Sequence, residues 1–233
     1  MQIIAHRGWS EFAAENTHAA FSAAITAPCD GIELDLRLAG DGTVVVCHDA
    51  TLQRFGGNRI PIAQQSLSIL RAQYPVPTLA EVLDTYRSVQ LLLEVKPHGG
   101  RQWSERLVAA MCAQVQTPAL RQRVRILCFS PALLRFAHTL DPRLRLVRNT
   151  ETLPLAPGAL SRWLDHHGHC WAIDANARAW TAGAVAAVQQ RGLRASAYTI
   201  NRAAELARAR RLGLDMIITN RPRWAGEWLA CHG

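Results

Sequence analysis

Short apolar runs alternate with longer amphipathic stretches along the whole chain. The runs at 2–6, 31–37, 89–95, 123–129, 144–148, 170–174, 193–199 and 216–219 read as strands, most of them carrying the Val, Ile and Leu of a parallel sheet covered on both faces. Between them, helical periods span 16–27, 79–86, 102–115, 131–139, 159–166, 182–191 and 202–212, with a short terminal helix after Pro222. Asn16 or Thr17 is placed to cap the first of these, and Pro77-Thr78 opens the second. A further β run at 43–47 follows the turn Gly40-Asp41-Gly42 and reads as an extra pairing. Strand and helix alternating in this way predict a closed α/β architecture, the TIM (β/α)8 barrel. An open doubly wound sheet is the alternative, weakened because no Gly-x-Gly-x-x-Gly follows the first strand. The expectation is one barrel domain over 1–233, with 50–76, which has no strong period, as a small insertion after the second strand.

Within that frame the stretch Gly31-Ile32-Glu33-Leu34-Asp35-Leu36-Arg37 stands out, because alternation along a strand points Glu33 and Asp35 to one face and the aliphatic residues to the other. A carboxylate pair on one face needs solvent, a proton or a cation beside it. Catalytic groups of a barrel gather at the carboxyl ends of its strands. His6 ends the first strand, His48 ends the extra run, and Glu94 and Lys96 repeat the same-face spacing at the end of the third. All six are therefore expected around one rim. Three oxygen donors without a thiolate favour Mg2+ or Ca2+ over Zn2+, and two histidines in reach allow one general base and one general acid.

Composition narrows the picture further. A net charge of +8 raises nucleic acid as a partner, but the arginines are scattered and no basic run or nucleic-acid motif exists, so a small anionic substrate is the better expectation. Lys96 is the sole lysine, which singles it out for a site wanting a compact ammonium. No apolar run approaches the length of a membrane span, and no signal segment precedes the strand at 2–5; a cytoplasmic protein without stable membrane insertion is expected. The six cysteines contain no Cys-x-x-Cys and read as reduced, mostly buried small residues.

Taken together in order and spacing, His6-Arg7-Gly8, Glu15-Asn16-Thr17, Glu33-x-Asp35, His48-Asp49, Pro77-Thr78-Leu79, Glu94-x-Lys96-Pro97, Tyr198-Thr199-Ile200-Asn201 and Thr219-Asn220-Arg221-Pro222 resemble the glycerophosphodiester phosphodiesterase family. The resemblance implies a barrel of the phospholipase-C-like phosphodiesterase type that hydrolyses small glycerophosphodiesters to sn-glycerol 3-phosphate and an alcohol. It implies one divalent cation on Glu33, Asp35 and Glu94, His6 and His48 as the acid/base pair acting through a cyclic phosphate, and Arg7 and Lys96 as phosphate contacts. Tyr198 and Phe129 would line the pocket, with Glu15 and Asn16 supporting it from behind. Ala14, Cys128, Tyr198 and Asn220 depart from the residues usual in the family (Pro, Ser, Trp and Asp), and the insertion is short. A barrel phosphodiesterase for a larger lipid headgroup and a non-catalytic binding barrel are the alternatives. Outside the motifs, His166-His167-Gly168-His169-Cys170 reads as a solvated loop at the opposite end, His18 as a surface residue, His98 as within reach of the rim, and Gly56-Gly57 as a turn.

Overall fold

The structure, a computed structural model, describes residues 1–232. Nine strands form one sheet: β1 (Gln2–His6), β2 (Gly31–Leu38), β3 (Val44–Val46), β4 (Gln90–Val95), β5 (Val124–Cys128), β6 (Arg145–Thr150), β7 (Ala172–Asn176), β8 (Arg194–Tyr198) and β9 (Met216–Thr219). Eight of them pair in parallel in the order β1-β9-β8-β7-β6-β5-β4-β2. The register Ile4↔Gly31 to His6↔Glu33 then joins β1 to β2 and closes the barrel. β3 lies outside the ring, antiparallel on β2 with Leu36 opposite Val46.

The alternation along each strand builds two kinds of core. Outward-facing Ile32, Leu34 and Leu36 of β2 are fully buried beneath the helices, in a cluster with Phe21, Leu79, Leu107 and Val108. Inward-facing Ile4, Leu92, Leu127, Val147, Ala172, Met216 and Ile218 fill the middle of the lumen with apolar side chains; the acidic residues of the strands lie above them at the carboxyl ends, and Arg125, Arg145 and Arg194 gather at the amino ends. Hydroxyl caps set several helix starts: Thr17, Ser130 and Thr181 each accept from a first-turn N–H, and Thr78 forms a reciprocal capping box with Glu81.

Two expectations are corrected, and the expected insertion gains internal structure. The strand expected at 170–174 runs Ala172–Asn176, displaced by an even step that leaves each side chain on its expected face. The insertion is ordered: two single turns and a helix, Leu67–Arg71, gather Leu52, Ile62, Leu70 and Val76 against Val45 and Cys47. Elements that short carry no readable period. The histidine-rich segment is only partly solvated: it forms a hydrogen-bonded turn directly after the helix Pro157–Asp165, with His166 and Gly168 exposed. His167 is only 6% exposed, lies 4.2 Å from the Trp163 ring and bonds the Trp163 carbonyl through Nδ1 at 2.7 Å. None of the helices among the described residues is long and apolar enough to cross a membrane.

Candidate active site

β1 delivers His6 to the rim and then turns sharply. Arg7 takes φ +57° and Gly8 φ +81°. A Cβ on Gly8 would lie 2.6 Å from the backbone of Ala20, so the close approach of this turn to the first helix admits only glycine. The turn aims the Arg7 N–H at Glu33 Oε2, 3.1 Å away, and its guanidinium at Asp35 Oδ2, 3.1 Å, and Glu15 Oε1, 2.8 Å.

β2 and β4 are neighbours with Asp35 opposite Glu94, so Glu33, Asp35 and Glu94 meet: each offers an oxygen within 4.8 Å of the others. All three are buried. Lys96 Nζ lies 2.6 Å from Glu94 and 3.1 Å from Asp35. Asn16, itself buried and at φ +57°, donates to Asp35 Oδ2 at 2.8 Å and accepts from the Asp35 N–H at 3.2 Å. Burial opposes the Asp35 charge, but Lys96 and Arg7 outweigh it and hold the carboxyl below its ordinary value. Glu33 goes the other way. Burial, with the Asp35 and Glu94 charges adding to it, raises its pKa well above normal. Burial likewise raises Glu94.

Two positive side chains thus face three carboxylates; Glu33 Oε1 has no hydrogen-bond partner in the protein, and Asp35 Oδ1 has only the Lys96 ammonium, 3.1 Å away. An oxygen-only donor set with uncompensated charge and an unpartnered Glu33 oxygen fits a hard divalent cation.

The two histidines stand at the same cavity with different support. Asn220 Oδ1 is 2.6 Å from His6 Nδ1, which puts the ring proton on Nδ1 and leaves Nε2, 3.9 Å from Glu33, with its lone pair. Burial, assisted by Arg7, lowers the His6 pKa to about 4. His48 is half-exposed and its Nδ1 lies 2.7 Å from Asp49 Oδ1. Burial lowers this pKa as well, against the Asp35 and Asp49 charges. Asp49 also pairs with Arg54, which reaches Glu15, the partner of Arg7. Arg54 comes from the insertion, whose short helical turns therefore tie the two histidine loops together. Sequence reasoning passed over Arg54 because nothing local marks it.

A cavity of about 230 Å3 opens between these groups. His6, Arg7, Glu33, His48, Glu94 and Lys96 border it on one side. Phe129, Tyr198, Asn149 and Asp174 border the other, with Phe129 and Tyr198 packed edge to face at 5.9 Å. His98 is half-buried and does not border the cavity, and His18 instead bonds Tyr86 Oη at 2.9 Å. Asn149 and Asp174 were missed. The signal was present for Asp174, a carboxylate closing an apolar run as Glu33 and Asp35 do, whereas Asn149 lay one residue past the expected strand end. A second concavity of about 460 Å3, bordered by Arg37, His48, Asp49 and Arg54, shares His48 with the first. A larger groove, about 710 Å3 beside Leu83, Arg87 and Arg123, has no histidine and Asp84 as its one carboxylate, so it lacks the means for this chemistry.

Residues 6–223 match the glycerophosphoryl diester phosphodiesterase family. The glycerophosphodiester phosphodiesterase of Caldanaerobacter subterraneus subsp. tengcongensis is 25% identical over 94% of this chain and 94% of that one. The protein of the same name from Bacillus subtilis is 26% identical over 94% of this chain and 83% of its own length. A solved phosphodiesterase of Oleispira antarctica in complex with the product sn-glycerol-3-phosphate superposes with a TM-score of 0.82 at 26% identity, covering 99% of this chain and 97% of that one. A putative glycerophosphoryl diester phosphodiesterase from Silicibacter pomeroyi shares the fold with a TM-score of 0.87 at 22% identity, covering 100% and 94%.

Proposed function

The chain belongs to the glycerophosphoryl diester phosphodiesterase family and is an enzyme of that kind; on that premise we propose that it releases sn-glycerol 3-phosphate and an alcohol from glycerophosphodiesters, using Mg2+ or Ca2+ held by Glu33, Asp35 and Glu94. The reading includes a single barrel domain working in the cytoplasm. The observation that carries it is the meeting of three buried carboxylates, two of which border one small cavity together with two imidazoles. The product bound to the Oleispira antarctica relative supports the substrate class.

When bound, the dication supplies electrostatic stabilisation to the charge that develops on the phosphoryl oxygens. His6, neutral at physiological pH and with Nε2 free, accepts the proton of the glycerol 2-hydroxyl as that oxygen forms its bond to phosphorus. His48, backed by Asp49 and facing the outer concavity, gives its proton to the departing alcohol as the other P–O bond breaks. The resulting cyclic phosphate is opened by water with the two roles reversed. Arg7 and Lys96 meet the anionic oxygens at the cavity wall. The outer concavity takes the headgroup, and its size supports a larger lipid headgroup as the second reading.

The test is sn-glycerol 3-phosphate release from a headgroup panel with magnesium, calcium and manganese. Turnover stops with a chelator, and His6→Ala and His48→Ala each lower kcat by at least about 100-fold at unchanged stability. Chelator-insensitive turnover refutes the metal assignment.

A further inference from the structure

Asn149, Asp174 and Ser196 are register partners on β6, β7 and β8, so they stand side by side at one level of the lumen. Their exposures are 2%, 1% and 0%. Both Asp174 oxygens, Asn149 Oδ1 and Ser196 Oγ lack any hydrogen-bond partner in the protein. That is exceptional, because buried polar atoms are nearly always satisfied and an unpaired buried carboxyl is among the most costly of them. No cation relieves it: Arg7 and Lys96, the two at this cavity, are held by Asp35, Glu94 and Glu15. Nor does Asp174 belong to the carboxylate trio close enough to share an ion. Burial raises the Asp174 carboxyl to about 7, against the opposing effect of the Ser196 hydroxyl beside it. Below the shelf the lumen is apolar, so the cavity that also holds His6 and Tyr198 is where Asp174 and Asn149 find partners.

We infer that Asp174 and Asn149 bind the primary hydroxyl of the glycerol unit and thereby select diesters in which that hydroxyl is free. The inference rests on the hydrolytic reading above. Unpartnered oxygens call for a ligand with hydroxyl donors. A deacylated glycerophosphodiester has two on its glycerol: the 2-hydroxyl, which gives its proton to His6, and the primary hydroxyl one carbon farther from phosphorus. The second is the one still without a partner. An acyl group on that oxygen would remove the donor and add a chain that about 230 Å3 does not accommodate. Asp174 is thus a specificity residue for the glycerol end, on the inner side of the cavity, away from the headgroup.

The experiment compares kcat/KM for glycerophosphocholine and its 1-deoxy analogue, in the wild type first, so that no variant has to fold. A site built around a hydroxyl rejects the analogue by about 100-fold or more. In Asp174→Ala and Asp174→Leu, turnover of glycerophosphocholine falls while that of the analogue changes little, and the ratio collapses to within about fivefold; Asp174→Asn, the isosteric control, retains part of it. Calorimetric binding of sn-glycerol 3-phosphate against 1-deoxyglycerol 3-phosphate reads the same preference without turnover. Equal use of both diesters by the wild type, equal binding of both phosphates, or an unchanged ratio in Asp174→Ala overturns the inference. Absent turnover with the binding preference intact counts against the hydrolytic reading and supports this one.

Discussion

Asn16 offers the sharpest test of how the carboxylate set is held. Its side chain grips Asp35 twice, donating to Oδ2 and accepting from the N–H, from a left-handed backbone. Replacing it by alanine places a residue ill-suited to φ +57° there, at roughly 1 kcal/mol. It also removes a hydrogen bond to a carboxylate, worth about 1.5–3 kcal/mol, and strands the buried Asp35 N–H, at about 1–3 kcal/mol. A water admitted to the vacated space offsets some of this, so the low ends of the ranges apply and the sum is about 3–4 kcal/mol. That is a large share of the roughly 5–15 kcal/mol stabilising a typical domain. Urea unfolding of Asn16→Ala in chelator should show the midpoint lowered by about 1 M or more. Because Asp35 loses the group that orients it, divalent-ion affinity by calorimetry should fall by about 10–100-fold. An Asn16→Ala protein within about 0.5 kcal/mol of wild type, with unchanged ion affinity, would show that Asn16 orients nothing.

Two further outcomes follow from the same electrostatics. Lys96→Gln removes the ammonium nearest Asp35 and Glu94, and without a divalent ion this costs about 2–3 kcal/mol, less than a fully buried pair because Lys96 is partly exposed. The stabilisation on adding calcium or magnesium, read as a shift in Tm, should be larger in Lys96→Gln than in wild type; equal shifts would refute the compensating role of Lys96. For Asp174, burial raises the pKa from 3.8 to about 7, so the folded state holds the proton more tightly than the unfolded chain. Its contribution to stability is full below about pH 4 and is lost as pH rises through about 7, a total of about 4–5 kcal/mol at roughly 1.4 kcal/mol per pH unit. Urea midpoints in chelator from pH 4.5 to 8 should fall more steeply for wild type than for Asp174→Asn, which has no proton to lose; identical slopes would show that Asp174 is not desolvated.

Much of the site was legible because its information is local. Alternation with a period of two places Glu33 with Asp35 and Glu94 with Lys96 whatever the rest of the chain does, and the barrel rule sends strand-end residues such as His6 to one rim. The same alternation pointed to Asp174, whose significance became visible only with its two neighbours beside it. The insertion was the reverse case. Its single turns have no period, and its one contribution to the site, Arg54, depends on Glu15 and Asp49 arriving at the same place.

The sequence by itself determined the eight strands, the face each carboxylate takes and the residue types available at the carboxyl ends, since these follow from the backbone geometry of a single strand. Only the tertiary structure decided which side chains share a partner. Closure brings Asn220 to His6 across 214 positions, stagger sets Asn149, Asp174 and Ser196 at one depth, and the turn at Gly8 swings Arg7 between Glu15 and Asp35. Neighbour relations between strands are a property of the closed sheet, and no short window of the chain contains them.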